Sequence, residues 1–162
     1  MMIKPELAKK MIEQVRNEFA AGLQYLAIAI YFEQEAMGNT AAFFYAQADE
    51  EKEHAMKLLR YVVETGGSAE LLPIPGPGAS IKSAEDAFQT SLNWETEVTG
   101  QINALMDMAK QQNDYLAQNF LQWFVNEQLE EVTTMEKFLN LVRKMGDHNI
   151  FMLEQLIKRE AD

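Results

Sequence analysis

Acidic side chains and one histidine recur where a helix would bury them: Glu18, Glu51 with His54, Glu95, and Glu127 with Glu131 each interrupt an apolar stripe. One ionised carboxylate taken out of water without a partner costs several kcal/mol, so a core that gathers four or five needs strong positive charge. A metal site supplies it. Glu51 and His54, at i and i+3, occupy adjacent turns of one helix face and can hold the same ion. With one imidazole, several carboxylates and no sulfur, Fe(II), Mn(II) and Zn(II) all suit, and carboxylates that bridge favour a pair of ions. Two divalent ions against about four carboxylates leave the site near neutral, which makes burial tolerable. Taken alone, each glutamate reads equally well as a helix-surface acid, because glutamate is a good helix former. The agreement among four helices is what singles them out.

Composition narrows the chemistry further. The 162 residues carry 14 Lys+Arg against 25 Asp+Glu, a net charge of -11 that would repel a phosphate backbone and opposes nucleic-acid binding. Cations are better partners. There is no cysteine, which excludes disulfides, thiolate metal sites, iron–sulfur ligation and a cysteine nucleophile. Residues Met1 to Lys10 hold no apolar signal core, and no uninterrupted apolar run reaches the roughly 18 residues of a membrane span. The expectation is a cytoplasmic protein with no membrane partner, folded as a single domain over residues 1–162.

Four helices must position the acids. Leu7, Met11, Val15, Ala21, Gly22, Tyr25, Ala29 and Phe32 recur at helical spacing from about Pro5 to Ala36, with Gly38-Asn39 as the expected stop. A second helix is predicted from about Thr40 to Thr65, its inward stripe running Phe44, Gln47, Glu51, His54, Leu58, Tyr61, and Gly66-Gly67 closing it. The third starts after Ser83, a capping residue, and carries Phe88, Leu92, Glu95, Val98, Ile102, Leu105 and Ala109 inward. The fourth is predicted from about Tyr115 to Met145, with Phe120, Phe124, Glu127, Glu131, Thr134, Phe138 and Leu141 facing in and Gly146 ending it. A short amphipathic segment, Ile150 to Lys158, is too short to stand alone.

The long connection decides the topology. Between Gly67 and Lys82, Pro73, Pro75, Pro77, Gly76 and Gly78 forbid regular structure. Its roughly 15 residues can reach about 50 Å against about 40 Å for the second helix, enough to cross the whole bundle. The second and third helices then run parallel. Glu18, Glu51, Glu95 and Glu127 each lie roughly 17–20 Å into their helices at the helical rise, so all fall near mid-height.

On these residues the sequence resembles the non-haem prokaryotic ferritins. The resemblance is carried by Asn17-Glu18 with Tyr25, Glu50-Glu51-x-x-His54-Ala55, Trp94-Glu95, and Phe120-Leu-Gln-Trp-Phe124 running into Glu127-Gln128-x-Glu130-Glu131. It implies an all-α, ferritin-like four-helix bundle with a long crossover loop and a short C-terminal fifth helix. It implies that Glu18, Glu51 and His54 hold one iron, and that Glu51 bridges to a second iron held with Glu95 and Glu131, Gln128 sitting beside it. A third iron position would use Glu50, Glu127, Glu130 and Glu131. Tyr25 and Trp123 are implied electron donors, though plain aromatic packing explains both equally from sequence. The implied activity is oxidation of Fe(II) by O2 or H2O2 and storage of the ferric product as mineral in a homo-oligomeric shell of 24 subunits. Bacterioferritins differ in carrying a second Glu-x-x-His, where Glu127 is followed here by Glu130, and a haem-ligating methionine where this chain has Lys52. No haem is therefore expected. Two other readings stay open at this level: a shell that binds iron without a fast catalytic step, and a small di-metal oxidase or peroxide scavenger.

Overall fold

A computed structural model describes residues 2–78 and 80–161. Its elements are α1 (Pro5–Gln34), α2 (Gly38–Glu64), α3 (Ala84–Gln111), α4 (Tyr115–Met145) and α5 (Met152–Ala161), with a 3-10 turn at Asp147–Asn149. Among the described residues there is no strand, and no helix is long and apolar enough to cross a membrane.

Side-chain pairs fix the helix directions. Tyr25 meets Phe44 while Gly22 lies against Ala48 and Glu51, so α1 and α2 are antiparallel. Phe88 meets Phe138 and Glu95 meets Gln128, so α3 and α4 are antiparallel too. Asn17 bonds Gln101 while Phe32 meets Phe88, which sets α1 against α3 in the same sense. The second and third helices must then be parallel, as the long crossover predicts.

Helix ends follow local chemistry. Ser83 Oγ accepts from Asp86 N at 3.1 Å and Asp86 accepts from Lys82 N at 2.9 Å, capping α3 as predicted. Asp114 does the same for α4 through Ala117 N. At the end of α1 the structure departs from expectation: the chain turns at Ala36, φ 58°, and Gly38 already belongs to α2. Met37 N donates to Phe32 O at 2.9 Å and Ala36 N to Glu33 O at 3.1 Å, a Schellman closure that offsets the left-handed alanine. Two hydrogen bonds and a buried Met37 replace the glycine stop.

The core forms two apolar blocks with a polar layer between. One is mainly aliphatic, built around Leu7, Met11, Val15, Leu58, Ile102 and Leu121. The other is aromatic, built around Tyr25, Phe32, Phe44, Phe88 and Phe138. The fifth helix starts slightly later than predicted and buries Leu153 and Ile157 on the second block, while Phe151 is exposed.

Candidate metal centre

The polar layer consists of Glu18, Glu51, His54, Glu95, Gln128 and Glu131, none more than 5% exposed. Each of α1 to α4 contributes one carboxylate. Gly22 allows the approach of α1 to α2 at this level: a Cβ there would come within 3.3 Å of Ala48 O.

Two sets of ligand atoms converge. Those of Glu18, Glu51 and His54 lie within 4.8 Å of one another, and so do those of His54, Glu127 and Glu131. His54 Nδ1 is 3.3 Å from Glu51 Oε2, an oxygen that is fully buried and accepts no hydrogen bond. An orphaned carboxylate oxygen in a dry core is what a cation would satisfy. Glu95 is held differently. Tyr25 donates its hydroxyl hydrogen to Glu95 Oε1, and Gln128 Nε2 donates to Glu95 Oε2 at 3.2 Å and to Thr99 Oγ1 at 3.2 Å. Among the described residues, Glu51, Glu95 and Glu131 do not come together as a third set.

The remaining predicted residues lie beside this centre. Glu50 and Glu130 are exposed and Glu127 is half-buried. Together with Glu131 they line a cavity of about 340 Å³, which Thr134 and Ile157 also border. Trp123, 37% exposed, stands edge-on to His54 at 5.5 Å between ring centroids.

Burial and crowding set the protonation. Burial first, and then the charges of Glu18 and Glu95, hold Glu51 well above the ordinary carboxylate range. Glu131 is pushed up to about 9, by burial and then by Glu95 and Glu50. Burial also raises Glu95, against the hydrogen bonds from Tyr25 and Gln128 that favour its charged form. Burial, and then Glu95, raise the Tyr25 hydroxyl. Glu50 is raised by its partial burial, with His54 opposing. A cluster in this condition takes up protons or cations.

The structure corrects the sequence reading in two places, one on α4 and one on α1. The buried stripe of α4 is Ala117, Leu121, Phe124, Gln128, Glu131, Met135, Phe138 and Val142, so Phe120, Glu127, Thr134 and Leu141 lie one position off, half-buried. The pairs 120/121, 127/128, 134/135 and 141/142 each offer two neighbours for one inward place. Gln128 takes it because Glu95 and Thr99 accept from it. Gln14 was missed. It is buried and donates to Glu18 Oε1 at 2.8 Å. A polar side chain one turn before Glu18, between Met11 and Glu18 on the same face, was the available signal.

The Ferritin-like domain family matches residues 8–145. The chain belongs to the ferritin family. It is similar to Ferritin BfrB of Mycobacterium tuberculosis, with 36% identity over 152 residues, 94% of this chain and 83% of the relative. It is also similar to the bacterial non-heme ferritin of Staphylococcus aureus, with 34% identity over 146 residues, 90% of this chain and 88% of the relative. Among solved structures, the open pore ferritin of the hyperthermophilic archaeon Archaeoglobus fulgidus superposes with a TM-score of 0.92 at 29% identity, covering 96% of each chain. The fold is thus a ferritin four-helix bundle with a short fifth helix, and a ferritin serves iron storage.

Proposed function

We propose that this ferritin oxidises Fe(II) at the buried centre and stores the product, with iron as substrate and O2 or H2O2 as oxidant. The observation that carries the reading is Glu51 Oε2, buried and without a hydrogen bond beside Glu18 and His54. Glu18, Glu51 and His54 hold the first Fe(II); Glu51, Glu95 and Glu131 the second, with Gln128 beside it. Bound iron pairs supply electrons to the oxidant, and the four buried carboxylates offset the added charge as Fe(II) becomes Fe(III). Protons leave the raised carboxylates as iron enters. Tyr25, hydrogen-bonded to Glu95, sits where it can deliver a proton and an electron together. The cavity acids Glu50, Glu127, Glu130 and Glu131 provide the third position, a way-station for ferric iron. Oligomerisation as a 24-subunit shell, one domain per subunit, and a cytoplasmic location belong to the same reading.

The test is stopped-flow mixing of Fe(II) with O2. A fast phase consuming about two irons per subunit is expected, and Glu51→Ala or His54→Ala removes it. Unchanged kinetics in both variants would sink the proposal. Size-exclusion chromatography checks the shell, where a stable monomer or dimer contradicts it.

A further inference from the structure

The side chain of Lys57, one turn beyond His54 on α2, covers the indole of Trp123. Its Nζ lies 4.2 Å from the ring centroid. In a chain with 25 acids against 14 basic residues, this ammonium makes no ion pair among the described residues. A cation on the face of a ring stabilises the neutral π system and repels the positive charge that the ring gains on losing an electron. Trp123 is therefore hard to oxidise although it stands edge-on to His54. Tyr25 is in the opposite situation: Glu95 accepts its hydroxyl hydrogen, so electron and proton can leave together.

We propose that Lys57 is a positioning residue that restrains electron loss from Trp123, leaving Tyr25 as the side chain that yields an electron at the centre. The inference rests on the ferroxidase reading. Taking O2 to two waters needs four electrons. Two come from the iron pair, and one from Tyr25, whose phenolic proton passes to Glu95. The fourth comes from another Fe(II) while Lys57 is in place. When the ammonium is removed, Trp123 gives it instead, its Nε1 proton passing to solvent and a neutral indolyl radical remaining. Protons from water complete the two product waters.

Freeze-quench electron paramagnetic resonance of the assembled, Fe(II)-loaded protein mixed with O2 tests this. In Lys57→Met the indolyl signal rises several-fold, while Lys57→Arg, which keeps the cation, stays at the wild-type level. Equal indolyl signals in all three proteins overturn the proposal. Absence of fast Fe(II) oxidation in the wild type is a separate failure, that of the ferroxidase reading. The claim about Lys57 is then read in a Trp94→Phe background, with flash-generated ruthenium(III) tris-bipyridine as oxidant. Trp123 must be oxidised several-fold faster in Lys57→Met than in Lys57→Arg, and equal rates overturn the proposal.

Discussion

Glu50 and Glu51 are neighbours in sequence, yet they belong to regions with different physics. Glu51 lies in the buried layer, where Gln14, Tyr25 and Gln128 donate to the carboxylates around it. Glu50 lines the open cavity, where a bond from Gln47 at 2.7 Å holds it; of the other acids there, Glu130 is exposed, Glu127 half-buried, and Glu131 is shared with the buried layer. Fixed donors and a dry core favour one tight, defined arrangement of ligands. Exposed carboxylates that move freely favour exchange. The same residue type, one position apart, thus serves two different tasks.

The largest effect that could break this comparison is on the fast phase of Fe(II) oxidation. Glu51→Ala or His54→Ala lowers it by at least about 100-fold, since even outer partners of metal ligands are worth about 10–100-fold. Glu50→Ala and Glu130→Ala leave the first turnover within a few-fold and slow the later ones, as stopped-flow with repeated iron additions would read. If Glu50→Ala matched Glu51→Ala, the two regions would be one site.

Next in size is the pH dependence of the metal-free protein. Glu131 has an ordinary value of 4.5 and is pushed up to about 9 in the fold. Between those values the folded state holds more protons than the unfolded one, so stability falls as pH rises. The stabilisation is fully present below about 4.5 and is lost as pH passes about 9. Thermal melts should therefore drop from pH 5 to pH 9, and Glu131→Gln should flatten that drop. An equal slope in Glu50→Gln would show that burial does not separate the regions. Iron loading should release protons, measurable by calorimetry in buffers of different ionisation enthalpy.

Much of this contrast was legible in the sequence. Apolar spacing, the Ser83 cap and the Gly66–Lys82 breakers placed four helices and the crossover, and Glu18, Glu51, His54, Glu95 and Glu131 all proved buried. Periodicity could not decide between Glu127 and Gln128, because adjacent residues differ by only about 100° around a helix and tertiary hydrogen bonds made the choice. Nor could it reveal Ala36 as the turn, since the left-handed position is ordinarily a glycine's and Gly38-Asn39 two residues on offered the stronger stop signal. Lys57 on Trp123 joins two helices by a contact with no spacing signature.

A smaller effect tests the donors of the buried layer. Gln128→Leu removes the bonds to Glu95 and Thr99, and leaving a buried carboxylate short of a donor costs about 1–3 kcal/mol in the metal-free protein. Iron loading should recover most of it, because the ion replaces the missing donor. Denaturant titrations with and without iron check this. An equal loss in both states would mean that Gln128 acts by packing alone.

The smallest expected effect asks whether α5 serves the cavity alone. The N-cap residue of α2, Met37, makes no side-chain cap, and Glu154 of α5 in the same chain provides one. Its Oε2 accepts from Asn39 N at 2.8 Å and its Oε1 from Thr40 N at 2.8 Å. A carboxylate at a helix N-terminus also meets the positive end of the dipole. Glu154→Ala should cost about 0.5–2 kcal/mol, the usual worth of a cap. It should also loosen Ile157, which borders the acidic cavity three residues further along α5. On α2 the cavity is lined by Phe43, Gln47 and Glu50, whereas Glu51 and His54 face the buried layer, where Glu18 of α1, Glu95 of α3 and Gln128 and Glu131 of α4 surround them, so the fast phase should keep its rate while later turnovers change. A fast phase that fell as far as the slow one would show that the cavity wall and the buried centre move as a single unit.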